Sequence, residues 1–257
     1  MKVSTVMEVI SAACVSRYVG SPFEQRGAIM LVAPPGHIKS TLIKEALILY
    51  PDSLILSDLN VSSLSHLKNS LVSGRYNSIG FGEFEKLYER NPGSAANLEG
   101  HLRALVEEGF DKMSFQSAEM IGVTARVLLV GGITPVCYAK RWQAWLDSGF
   151  ARRFIWSHYK LADEDAIVKA IREWKKISFG KISAAVPASK AIEYTVLKKD
   201  ANILERMLDH QPSKETPYTL LKKIICVLVW RYGRKKAFAI LHDFSESLTR
   251  GGATLYI

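Results

Sequence analysis

Apolar positions along this chain switch between helical spacing and short unbroken runs, and the switches mark out its elements. Val6, Val9, Ile10, Ala13, Cys14 and Arg17 recur at helical intervals, and Gly20-Ser21-Pro22 ends that segment. Ala28-Ile29-Met30-Leu31-Val32 is an unbroken apolar run, read as a buried strand beside which the first helix packs. A helix opening with Leu42-Ile43 follows, then a short buried strand over residues 53–58, then a helix carrying Leu64, Leu67, Leu71 and Val72. Ser78-Ile79-Gly80-Phe81 starts a third strand that runs straight into Glu83 and Glu85. Leu98, Leu102, Leu105 and Val106 mark a helix over residues 95–110. The run over residues 125–130 is the most strand-like of all, closed by Gly131-Gly132-Ile133-Thr134-Pro135. A helix over residues 138–146 with two tryptophans and a last strand at Phe154-Ile155-Trp156 complete the alternation. Strand, helix, strand, helix in this order predicts an α/β core, a parallel sheet between helices, over residues 1–161.

Beyond residue 161 the period is helical only. Asp163 has the position of an N-cap, with Ile167, Ile171 and Trp174 along one face of the helix it starts. Leu220, Leu221, Ile224, Ile225 and Leu228 form a strongly apolar helix. The basic turn Tyr232-Gly233-Arg234-Lys235-Lys236 leads to a last helix with Phe238, Leu241, Phe244 and Leu248. Residues 162–257 are therefore expected to form a helical lid.

Charge adds a partner class. The 257 residues carry 34 Lys and Arg against 25 Asp and Glu, a net of +9, and 18 basic against 11 acidic residues lie from Trp156 onward. That surplus suits a polyanion such as nucleic acid, with DNA favoured. Lys222-Lys223 and the basic turn, interleaved with Trp230 and Tyr232, are the candidate contacts; a solvated basic face is the plain alternative. Three isolated cysteines propose neither a disulfide framework nor a CxxC metal site, and the six histidines form no HxxxH pair. Glu8 interrupts the apolar stretch that a leader ending at Cys14 would need, and no apolar run reaches the length of a membrane span. A cytoplasmic protein without a membrane partner is expected.

The chemistry concentrates in Ala33-Pro34-Pro35-Gly36-His37-Ile38-Lys39-Ser40-Thr41, set between the first strand and its helix. Backbone N–H groups of such a loop and the helix N-terminus face phosphate oxygens. The Lys39 ammonium would sit on the outer phosphates and the Ser40 hydroxyl would ligate Mg²⁺. The expected nucleotide-binding residues are Pro35, Gly36, His37, Ile38, Lys39, Ser40 and Thr41. Two glycines of the usual pattern are replaced by Ala33 and Ile38. A β-branched Ile38 is expected to keep negative φ, so that the loop differs locally.

In order, the phosphate loop, the acidic strand end, the strand closed by Thr134, the Arg152-Arg153 turn and the helical tail resemble an AAA+ P-loop ATPase. Residues 33–41 look like its Walker A segment, with some likeness to the minichromosome-maintenance branch of replicative helicases, and the compact layout is similar to stand-alone ATPases of phages and mobile elements. The resemblance implies ATP and Mg²⁺ as cofactors. It implies Glu83 on the metal and Glu85 on the attacking water, the reverse assignment staying open, both side chains pointing to one side of an extended strand, with a solvated acidic helix start over residues 83–86 as the plain alternative. Thr134 takes the sensor-1 place, with a Thr-Pro turn starter as alternative. Arg153, with Arg152 as substitute, takes the arginine-finger place, which acts only between subunits of a homo-oligomer; the alternative is an arginine pair that binds a carboxylate. Arg206 or Arg231 would be the sensor-2 arginine. The implied activity is ATP hydrolysis driving remodelling or translocation of DNA or a DNA-bound protein. Two rivals stay open, an ATP-binding switch with little hydrolysis and a small-molecule phosphotransferase.

Overall fold

The computed structural model describes residues 2–19, 26–57, 60–89, 92–107, 126–159, 164–182, 198–209, 211 and 215–249. The expected stop at Gly20-Ser21-Pro22, the N-cap Asp163 and the chain after residue 249 lie outside them. Five strands, β1 (Ala28–Val32), β2 (Ser53–Leu56), β3 (Ser78–Phe81), β4 (Leu128–Ile133) and β5 (Phe154–His158), form one parallel sheet in the order β2-β3-β4-β1-β5. The α/β expectation holds, and every strand ends at the same edge.

Alternate residues of each strand feed opposite faces. On one side Ile29, Leu31, Leu128, Val130 and Ile155 join α1 (Val3–Val15), α2 (Lys39–Leu47) and the helices α6 (Glu164–Ile182), α7 (Lys198–Leu208) and α8 (Glu215–Thr249) in one apolar cluster. On the other, Met30, Val32, Ile79, Phe81, Leu129 and Phe154 pack against α3 (Val61–Val72), α4 (Pro92–Glu107) and α5 (Pro135–Asp147). Burial on both faces is why β1, β3, β4 and β5 read as continuous apolar runs rather than alternations. β2 departs from the expected buried strand. It is one of the two edge strands, and Ile55 is 39% exposed, whereas β5 at the other edge is covered by α8 and stays buried.

β4 departs in its bounds. Gly131 and Gly132 were expected to close the strand, yet they pair with Met30 and Leu31 inside it, so the strand runs on to Ile133. α1 departs in its surroundings, being buried nearly all round between α8 and α2 rather than along one stripe. Its Glu8 carboxylate accepts from Trp174 Nε1 at 2.9 Å and from Tyr232 Oη at 2.7 Å, which ties α6 and α8 to it. α8 is two helical runs broken at Gly233, whose φ of 70° and ψ of 165° stand where the sequence places a turn. No helix among the described residues is long and apolar enough to cross a membrane.

A histidine is among the titrating groups buried in this core. His158, the last residue of β5, is 4% exposed with its ring edge-on to Tyr138, and burial pushes its pKa down to about 4. An unfolded histidine titrates near 6.5. The unfolded chain therefore binds the extra proton first as pH falls, and stability is lost from about pH 6.5 down toward pH 4. Thermal midpoints should decline over that window, and His158→Gln should flatten the decline; an unchanged profile in the variant would reassign it to other groups.

Candidate functional site

The loop between β1 and α2 begins as a tight turn. His37 N donates to Pro34 O at 3.3 Å across Pro35 and Gly36, with Gly36 at φ 78°. Proline then a left-handed glycine is the type II turn pattern, so this half of the loop follows from its residue types. The second half does not. Ile38 has φ 52° and ψ 29°, the only positive φ outside glycine among the described residues, which corrects the expectation of negative φ. The chain must reverse hand between the turn and the first residue of α2, and no glycine stands there to do it. A β-branched residue in this region costs on the order of 1–3 kcal/mol, offset by packing of the Ile38 side chain on the core.

Lys39 opens α2 and is 7% exposed. Its ammonium donates to Ala33 O at 2.8 Å and Pro34 O at 3.1 Å, so it lies against the start of the loop. Burial lowers its pKa, opposed by the charges of Glu85 and, less strongly, Glu83. Ser40 and Thr41 are exposed in the first turn of α2, whose N–H groups have no intrahelical acceptors. Backbone groups with alternating hand, an ammonium and a helix N-terminus are the components from which anion-binding nests are built.

Two glycines seat this helix on the sheet. A Cβ on Gly82 would fall 2.8 Å from Ser40 Cα and overlap the Ser40 side chain; one on Gly132 would stand 2.7 Å from Gly82 O and 3.1 Å from Lys39 Cβ. The end of β3, the end of β4 and the start of α2 thus meet with no room for any side chain between them. The sequence reads Gly132 as part of a strand-closing turn and gives Gly82 no role, since a glycine at a strand tip reads as a turn.

The carboxylates lie on the same edge, in a different form from that expected. β3 stops at Phe81, and Phe84–Tyr88 is a 3₁₀ turn flanked by Glu83 at φ −132°, so Glu83 and Glu85 are not alternate residues of an extended strand. The reason is Phe84. It is 1% exposed and its ring meets those of Phe81, Tyr88, Trp145, Phe150 and Phe154, an arrangement that pulls the chain down into the core. Glu83 is half exposed and pairs with Lys86 at 2.5 Å. Glu85 turns inward, its Oε2 accepting from the backbone N of Thr134 at 2.8 Å. Thr134 follows β4 directly and is level with Ala33, whose N donates to Ile133 O at 3.1 Å. Its hydroxyl also caps α5, accepting from Cys137 N at 3.4 Å.

The arginines lie elsewhere. Phe154 pairs with Ala28 at the start of β1, so Arg152 and Arg153 stand at the opposite edge of the sheet, about 16 Å from the loop for a five-residue strand. Arg153 is 7% exposed, pairs through Nη2 with Glu107 Oε2 at 2.7 Å and donates through Nη1 to Gly149 O. This is the carboxylate-binding alternative, and Arg152 is the exposed member of the pair. Arg231 is turned inward at the far end of α2, donating to Ser11 Oγ at 2.7 Å and Tyr50 Oη at 3.0 Å, while Arg206 is exposed on α7. Of the candidate basic surface, Lys223 is buried, whereas Trp230 is 41% exposed and Lys222, Lys235 and Lys236 are exposed. Among the described residues no three His, Cys, Asp or Glu side chains cluster as metal ligands.

No family model matches this chain, and no curated protein matches it in sequence. A solved structure described as "SCCmec type IV Cch - active helicase" is similar at 9% identity with a TM-score of 0.45. The match covers 97% of this chain and 45% of that one, so the chain spans under half the length of that protein.

Proposed function

We propose that this chain is a Mg²⁺-dependent ATP hydrolase of AAA+ type that works as an oligomer on DNA or a DNA-bound protein. The observation that carries the reading is the meeting, at one sheet edge, of a left-handed loop wrapped on the Lys39 ammonium with the Glu85 carboxylate and the end of β4. The loop amides and Lys39 bind the β- and γ-phosphates. The donors beside them are hydroxyl and carboxylate oxygens, which suit a hard cation, and Gly82 brings Ser40 against the backbone that leads into Glu83. Ser40 and Glu83 would hold Mg²⁺, which supplies positive charge against the phosphate oxygens.

Glu85 orients the attacking water and takes its proton. The water oxygen bonds to the γ-phosphorus, and the bond to the bridging oxygen breaks with its electron pair leaving on ADP. Thr134, tied to Glu85 through its backbone, places its hydroxyl at the γ-phosphate side. Arg152 is too far along the sheet to serve its own site, so it acts on the site of a neighbouring subunit in a ring or helical assembly. The C-terminal helices act as the lid, and Trp230 with Lys235 and Lys236 contacts nucleic-acid phosphates and bases.

ATP turnover with and without single- and double-stranded DNA tests this. Glu85→Gln should lower turnover about 100-fold or more while nucleotide still binds. Binding with background turnover in both proteins would instead favour the switch, a reading that the strained Ile38 and the divided carboxylates also support.

A further inference from the structure

Ile38 holds a left-handed conformation that its side chain disfavours, in a loop whose one glycine, Gly36, is taken up by the turn before it, and something outside the loop must help to keep it there. Tyr159, the residue after β5, touches both ends of that loop. Its backbone N donates to Val32 O at 3.0 Å, where β1 passes into the loop, and its phenol Oη donates to His37 O at 3.1 Å, one peptide before α2 begins. The residue is 7% exposed and belongs to the apolar cluster under the sheet, so its ring has little freedom to turn away. Burial also raises its phenol pKa above the ordinary range, which keeps the proton on Oη and the group a donor.

Resting on the phosphate-binding reading above, we infer that Tyr159 is a positioning residue that clamps the β1–α2 loop and holds Ile38 in the left-handed form required for anion binding. In a planar trans peptide the carbonyl and the next N–H point opposite ways. Fixing His37 O on Tyr159 therefore directs the Ile38 N–H away from the core. With Gly36 and Ile38 both left-handed, successive amides of the loop are then arranged to converge on one anion. In a loop with glycine at position 38 the backbone would reach this form unaided. Here a hydrogen bond from the residue that follows β5, 122 positions away in sequence, substitutes for it.

The experiment compares the full native chain with Tyr159→Phe, Ile38→Gly and the double variant, by binding of a non-hydrolysable ATP analogue with Mg²⁺ and by amide hydrogen exchange without nucleotide. Tyr159→Phe keeps the ring and removes one hydrogen bond, so its analogue Kd should rise about fivefold. Exchange at His37 and Leu42, whose amides are bonded to Pro34 O and Ile38 O, should accelerate by a similar factor with the rest of the pattern unchanged. In the Ile38→Gly background the same substitution should cost less than about twofold, because strain no longer opposes the loop. Native affinity and native exchange in Tyr159→Phe, or an equal penalty in both backgrounds, would overturn the clamp. Failure of the native chain to bind the analogue would sink the phosphate-binding reading instead, and the exchange arm would still decide the clamp.

Discussion

Lys39→Ala is expected to abolish ATP turnover, by about 100-fold or more, while the protein stays folded. The ammonium lies against the start of the loop, and it meets two backbone carbonyls there. Removing it takes away the charge that would face the outer phosphates, a contact worth on the order of 3–4 kcal/mol in a transition state. No buried ion pair is broken, and Ala33 O and Pro34 O gain access to water once the side chain is shortened. Phosphate release measures the first outcome and thermal melting the second. Mixing Lys39→Ala with Arg152→Ala extends the test: restored turnover requires sites shared between subunits, as an arginine acting on its neighbour demands. Wild-type turnover in Lys39→Ala would remove the phosphate-binding reading altogether.

Phe84→Ala should give the largest loss of stability, about 3–5 kcal/mol, or on the order of 10 °C in thermal midpoint for a chain of this size. Five aromatic rings surround Phe84 from β3, the 3₁₀ turn, α5, β5 and the segment before β5, so truncation opens a cavity that no single element can fill. The cluster is braced by polar bonds, Tyr88 Oη donating to Glu99 Oε1 at 2.6 Å and Trp145 Nε1 to the same oxygen at 2.9 Å, which oppose collapse. Phe84→Leu should cost less than half as much. Because Phe84 stands between Glu83 and Glu85, the alanine variant should also lose turnover beyond its fraction unfolded. Urea denaturation read against residual activity separates the two effects; an unchanged midpoint would mean that the ring is not the anchor described here.

Local chemistry explains which parts of the fold were legible. The five residues of β1 form an unbroken apolar run, and β1 spans the same five; Pro35-Gly36 carries its own turn geometry. Asn60 and Ser63 form a reciprocal cap at the start of α3, a local signal that the reading of the sequence did not use. β4 was misjudged at its end because Gly131 and Gly132 look like turn residues. They are glycines because Met30, Lys39 and the Gly82 carbonyl approach too closely for a side chain. β2 was read as buried from its composition, yet burial depends on what covers a strand in the folded sheet, which a run of three apolar residues does not encode.

The candidate site divides in the same way. The amino-acid order alone determined that a strand, a Pro-Gly turn, a lysine and a helix come together, since each depends on neighbours within a few residues. Tertiary structure decided the hand of Ile38, the inward turn of Glu85 toward Thr134, the withdrawal of Arg153 into its Glu107 pair and the loop contact of Tyr159. Each of these balances backbone strain, desolvation or a hydrogen bond against packing by residues 45 or more positions away, and such distant partners exist only once the sheet has set its strand order.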